Sequence, residues 1–352
     1  MFDLFCTRKI NQTNMKQFLI TIALSGLFFI SVNGQTPSTY TLPAQNLTNH
    51  PRDYSTRKSF WTEFNIQGSI TKDKRWQYQI DYQYRRMANA SFVPGNDHGS
   101  IFKDPYQQVV RPWIHYWAIP GVLRFSLSPI GYWATWTPPA EGAYYSTPGK
   151  GGGKTFYPEF RTCPQVTLVN TYGRFQFFNR LRYEFRWIGQ RVDSKNSAAD
   201  FFQADAYDFN PNGANSSNHK GRLRWQVRTQ ILLNSAKMEK NSIYLNIWNE
   251  LFIGMGRHVG YNQNLDQNRT VAMLGYKLPT EFPVRVEAGV TYQQIFNGGI
   301  AGKIPVGTAA GAKQGAEANT AYTIYVIFDE FHTMFKSKKK EKEETILQQE
   351  TK

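Results

Sequence analysis

The sequence predicts an all-β protein: a single antiparallel transmembrane β-barrel of about 12 strands, with ten as the fallback count, following a cleaved signal peptide. Three observations predict it. One short apolar run stands near the N-terminus and no other segment is apolar enough to cross a bilayer as a helix. The rest of the chain alternates apolar and polar residues with period two. The links between the alternating stretches are by turns short and long.

The N-terminal run is Phe18 to Ile30, preceded by Lys16 and followed by Ser31-Val32-Asn33-Gly34. A basic start, a short apolar core and small residues before a polar stretch describe a secretory signal peptide. A spanning helix needs about 20 apolar residues, so this run is too short to prefer one. Residues 1–34 are therefore read as a signal peptide with an upstream extension, with Met15 the expected start. Cys6 precedes the apolar run and so cannot be a lipid-anchoring cysteine, which leaves Cys163 alone in the mature chain, with no internal disulfide and no cysteine-based metal site.

The strands follow. Between Arg75 and Arg86, Trp76, Tyr78, Ile80, Tyr82 and Tyr84 share one face, and Arg75, Gln77, Gln79, Asp81, Gln83 and Arg85 the other. Phe175–Trp187 sets Phe175, Phe177, Leu181, Tyr183, Phe185 and Trp187 against Gln176, Arg180, Arg182, Glu184 and Arg186. Gly221–Leu233 sets Leu223, Trp225, Val227, Ile231 and Leu233 against Arg222, Arg224, Gln226, Arg228 and Gln230. Ile243–Ile253 and Pro283–Tyr292 repeat the pattern, with Asn246, Glu250, Arg285 and Glu287 on the polar side, and weaker strands lie near 59–70, 108–119, 121–136, 157–171, 267–278 and 319–328. About eleven strands are visible. Many reach ten residues or more, whereas strands of soluble proteins average roughly five or six, and ten is what an outer-membrane strand needs.

Links near 71–74, 120–121, 172–173, 235–240 and 279–282 are short. Those near 88–107, 138–156, 191–219, 257–266 and 297–318 are long. Short turns on one rim and long loops on the other are the outer-membrane pattern, with the long loops outside the cell. Bacterial barrels have even strand numbers, which calls for one further ascending strand within 36–57. The domain reading is then signal peptide to residue 34, an N-terminal segment at 35–58, a barrel at 59–328 and a charged periplasmic tail at 329–352, with a short helix from Asp329. The last strand ends on an aromatic, Phe328, after Tyr322, Ile324 and Val326. That resembles the signal by which barrels are handed to the insertion machinery.

Several strand motifs resemble a known family. Trp61-Thr62-Glu63, Arg182-Tyr183-Glu184-Phe185-Arg186, Arg222-Leu223-Arg224-Trp225, Asn249-Glu250-Leu251-Phe252 and Asp266-Gln267-Asn268-Arg269 occur in order over most of 59–328. The series is similar to the Bacteroidetes outer-membrane β-barrel family catalogued as domain of unknown function 2490. The resemblance implies the cell outer membrane and a barrel fold, and it implies no reaction.

The polar faces carry the candidate site. Arg180, Arg182, Glu184 and Arg186 lie beside Arg222, Arg224 and Arg228, then Glu250, with Arg269, Arg285 and Glu287 on later strands. Buried charges must be paired, so a ladder of guanidinium and carboxylate groups filling a narrow lumen is the plainest reading. The excess of Arg also fits a cationic passage or an anion-binding site. The formal net charge of +15 is spread through strands, and the basic stretch Lys336–Lys340 is offset by Glu341, Glu343 and Glu344, so nucleic acid is not an expected partner. Expected partners are outer-membrane lipid, the barrel insertion machinery and small polar or anionic solutes.

No cofactor, metal site or catalytic residue is expected. A lipid hydrolase on His115 with Ser126 or Ser128 is the rival class, and it lacks a third group in the sequence. The Gly149–Thr155 loop departs from phosphate-loop spacing. Loop 191–219, with Asp193, Asp200, Asp205 and Asp208, lacks calcium-loop spacing. The run Tyr132–Trp136 is placed in the membrane–water belt.

Overall fold

A computed structural model describes residues 53–88, 100–102, 104–136, 155–189, 192–193, 219–255, 265–296 and 315–333. The strands are β1 (Asp53–Ser69), β2 (Trp76–Met87), β3 (Asp104–Ile119), β4 (Leu123–Trp136), β5 (Thr155–Tyr172) and β6 (Phe175–Ile188). They continue as β7 (Val192–Asp193), β8 (His219–Leu232), β9 (Ile243–Met255), β10 (Leu265–Lys277), β11 (Val284–Phe296) and β12 (Gly315–Phe328). Two-residue β7 pairs only with the start of β5, at Phe156–Val192 and Thr155–Asp193.

The other eleven strands close into one ring. Each pairs antiparallel with its neighbour in the chain, and β1 pairs with β12 in parallel, from Asp53–Gly315 to Ile66–Phe328. The count is odd, where twelve was expected. Evenness is the habit of bacterial single-chain barrels and not a condition of closure. A parallel pair, with evenly spaced slanted hydrogen bonds, seals the ring as completely as an antiparallel one. Residues 53–57 of the region expected to hold a further strand belong to β1, and 36–52 lie outside the described residues.

Side-chain parity decides what faces in. On β2, Ile80 and Tyr82 point outward and are exposed, while Asp81 and Gln83 point inward and are buried. The same holds on β6, where Phe175, Phe177 and Phe185 are outside and Arg182 and Glu184 inside. The outer wall is a continuous field of exposed apolar side chains, including Val110, Ile114, Leu127, Val166, Val227, Ile247 and Val290, with Leu274 the most open of these at 56%. The protein is therefore apolar outside and polar inside, the reverse of a water-soluble domain.

Tight turns join strands at one rim. Gly121 and Gly173 sit in the left-handed region there (φ 72° and 57°), a conformation glycine adopts without a Cβ clash. Beyond Phe328 the helix expected from Asp329 does not begin there: residues 329–332 form turns that fold across this rim onto β1, and helix starts only at Thr333, the last described residue. The Phe331 N–H donates to the Gln67 carbonyl (3.0 Å). Ser69 donates its amide (3.0 Å) and hydroxyl (2.6 Å) to Glu330. Asp329 accepts from the Gln67 amide and takes a two-pronged bond from Arg285 at 2.7 and 2.8 Å. Partial burial pushes the Glu330 carboxyl up, but the two Ser69 bonds, with Lys74 and His332 nearby, hold it below its ordinary value. The rest of the charged tail lies outside the described residues.

Candidate functional site: the arginine-lined lumen

A cavity of about 560 Å³ runs inside the ring, and among the described residues twelve arginines, no lysine and five carboxylates line it. Arg suits such a space, because its planar fork can bond two carboxylates at once and lie flat on a ring. Register explains how the groups meet. In a closed sheet, residues paired across successive strands form a row around the wall. One row is His115, Ser126, Gln165, Arg182, Arg224 and Phe252, and the next toward the tight turns is Trp117, Arg124, Thr167, Arg180, Gln226 and Glu250.

Toward the long links, carboxylates organise the arginines. Glu184, fully buried, accepts from Arg222 at 2.8 and 2.6 Å, from Arg224 at 2.7 Å and from Arg161 at 3.3 Å. Arg224 spans to Glu250 with bonds of 3.0 and 2.7 Å, and Arg180 reaches the same carboxylate at 2.6 Å. Arg269 stands 3.9 Å from Glu250. Glu159 holds Arg161 (2.7 and 2.9 Å) and Arg186 (2.5 and 3.1 Å), and Arg222 also reaches Asp266 at 3.0 Å. Opposite, Asp81 takes two bonds from Arg111 (2.9 and 2.5 Å) and one from the Trp113 indole (2.9 Å). Each of these bonds is charge-assisted, the strong class.

Rings fill the space between. Arg161 lies 4.0 Å over Trp133, Arg182 4.6 Å over Trp113, and Arg224 and Arg269 lie 4.4 and 4.9 Å over Phe252. Trp133 thus points inward and is buried against Val109, Trp113 and Cys163. This corrects its placement in an outer aromatic belt. The cause is a bulge in β4 between Ser128 and Gly131, which flips the parity, so that Arg124, Ser126 and Ser128 face in before it and Trp133 after it.

Toward the tight turns the arrangement changes. Glu287 accepts from the Tyr244 hydroxyl (2.9 Å) and the Asn246 amide (2.8 Å) and has no arginine within ion-pair distance among the described residues, and Arg285 is taken up by Asp329. Arg228 lies 3.8 Å over Phe178 and Arg124 5.2 Å over Trp117, and neither has a carboxylate partner among the described residues. Arg182, between the two regions, bonds only Gln165 (2.9 Å). Arg124 Nε, Arg182 Nη1 and Arg228 Nε are buried N–H groups with no acceptor.

The structure also joins His115 and Ser126. Ser126 Oγ lies 2.8 Å from His115 Nδ1, and His115 Nε2 lies 3.2 Å from the Gln79 side-chain oxygen. Because that oxygen only accepts, the ring carries its proton on Nε2, and the Ser126 hydroxyl donates to Nδ1. Gln79 is a third group the sequence did not suggest. Both His115 and Ser126 are buried on the lumen side. Ser128, also buried, has no hydrogen-bond partner. The glycine-rich loop lies outside the described residues except for Thr155, and loop 191–219 except for 192–193 and 219.

A protein-family profile described as "Protein of unknown function (DUF2490)" matches residues 58–301. No curated protein and no solved structure matches the chain.

Proposed function

The chain belongs to the DUF2490 family of proteins of unknown function, and from that premise we propose that it is a non-enzymatic barrel of the outer membrane whose narrow lumen binds or passes small anionic solutes. The observation that carries this reading is the excess of arginine: twelve line the cavity, against the five carboxylates that line it with them and three more, Glu184, Asp266 and Asp329, that pair with lining arginines. An excess of fixed positive charge inside a low-dielectric wall concentrates anions. The exposed apolar outer wall supports a lipid surroundings for the ring, since a barrel in lipid needs only its outward residues to be apolar. Export through the signal peptide read at residues 1–34 would deliver it there.

The test is conductance in a planar bilayer, on detergent-purified protein whose heat-shifted gel mobility shows it is folded. Steady steps with a reversal potential favouring anions are expected. Folded protein that stays silent, and that binds no anion in solution, would sink the proposal.

A sealed structural barrel is the second reading, favoured by the buried rings of Trp113, Trp133 and Phe252 that line the cavity. The lipid hydrolase ranks below both. Its Ser126–His115 pair faces the lumen and not the outer wall where lipid would lie. His115→Ala is expected to leave lipid turnover at background.

A further inference from the structure

Resting on that anion-binding reading, we propose that the lumen holds one built site for a phosphate-class oxyanion, formed by Arg124, Arg180, Arg182 and Arg228 in the part nearer the tight turns. Register places them together. Arg124 and Arg180 flank Thr167 in one row across β4, β5 and β6. Arg182 is one step along β6 on the same face, and Arg228 follows Gln226, the partner of Arg180, by one step on β8. Arg180 is an electrostatic neighbour of each of the other three. All four line the cavity.

Three features together mark this cluster, and only the buried N–H without an acceptor is shared with Arg269, which stands 3.9 Å from Glu250. Among the described residues, Arg124, Arg182 and Arg228 have no carboxylate within ion-pair distance, although Arg182 is only 3% exposed. Each keeps a buried N–H without an acceptor, and such groups are rare because desolvating them unpaired is costly. The fourth, Arg180, shares its one carboxylate, Glu250, with Arg224. The missing partner is thus an acceptor with several oxygens and more than one negative charge. A chloride ion supplies one charge and no directed lone pairs at several angles, whereas a phosphate group offers three or more oxygens to guanidinium forks. The faces of Trp117 and Phe178, with Arg124 and Arg228 over them at 5.2 and 3.8 Å, help to position those forks.

Free phosphate and a phosphomonoester share this chemistry, and the experiment separates them. Folded protein in detergent is titrated calorimetrically with inorganic phosphate, with glycerol 3-phosphate and with chloride. Saturable binding of at least one phosphate probe and none of chloride is expected, and the tighter of the two identifies the source. For glycerol 3-phosphate, affinity should rise between pH 5.5 and 7.5, as its second ionisation near about 6 completes the dianion. Arg124→Gln with Arg228→Gln should weaken binding about tenfold or more, the cost of losing charge-assisted bonds to the ligand. If that double variant does not show folded mobility, Arg228→Lys alone serves, keeping the charge while losing the fork, with a smaller but measurable loss.

Phosphate binding unaffected by these variants would overturn the site. So would anion-selective conductance with no phosphate binding, which leaves the lumen reading intact. Silent bilayers with phosphate bound at these arginines would support the site and reject passage.

Discussion

The two ends of the lumen hold the same residue type in opposite states. Toward the long links, arginines sit in a lattice with Glu159, Glu184 and Glu250, and nearly every fork is filled. Toward the tight turns, Arg124 and Arg228 lie on rings with no carboxylate beside them. The difference teaches that an arginine count does not distinguish scaffold from site. Paired guanidinium groups have their charge cancelled and hold strands together. Unpaired ones retain charge for something else, at a cost in stability that a purely structural lumen would have no reason to carry.

The contrast can be broken most directly at Glu184. Glu184→Gln leaves Arg161, Arg222 and Arg224 facing a neutral amide, and it should cost about 3–5 kcal/mol, read as a lower urea midpoint for loss of the heat-shifted band. Gly275→Ala comes next. A Cβ there would stand 2.3 Å from the Tyr244 ring, displacing the hydroxyl that serves Glu287, at about 1–3 kcal/mol by overpacking. Arg228→Met should be the mildest of the three, within about 1 kcal/mol, since a lost ring contact is offset by relief of an unpaired buried charge. A loss at Arg228 as large as that at Glu184 would erase the distinction between the two ends.

The smallest effect concerns the rim. Because the Glu330 carboxyl is held below its ordinary value of 4.5, its clasp on Ser69 contributes fully above that value. The contribution is lost as pH falls through the lowered one. Wild type should therefore lose slightly more thermal stability than Glu330→Gln on acidification below pH 4.5, and parallel curves would show that the clasp carries no weight.

Much of the ring was legible because β2, β6 and β8 alternate without interruption, so that Arg180, Arg182, Arg222, Arg224 and Arg228 could be assigned to the polar face from parity alone. The lumen residues that went unnoticed, Arg111, Trp113, Arg124, Glu159 and Arg161, lie on β3, β4 and β5. There Pro112, Pro129, Pro158 and Pro164 break the alternation, and the extra residue of β4 between Ser128 and Gly131 reverses it on that strand. Reading β3 by its own parity (Arg111, Trp113, His115, Trp117) would have recovered that face. Which arginines lack carboxylates depends on distances across the lumen, and closure by β1 on β12 depends on a pairing of residues more than 260 positions apart. Neither leaves a local trace.

That closing pair has a topological consequence. With an odd number of strands the chain enters the ring at one rim, where β1 begins beside the long links, and leaves it at the other, where Phe328 runs into the Asp329–Glu330 clasp. An even-stranded barrel returns both ends to the same compartment. In a membrane, this one would sort them, with Asp53 and Phe328 at opposite faces of the bilayer.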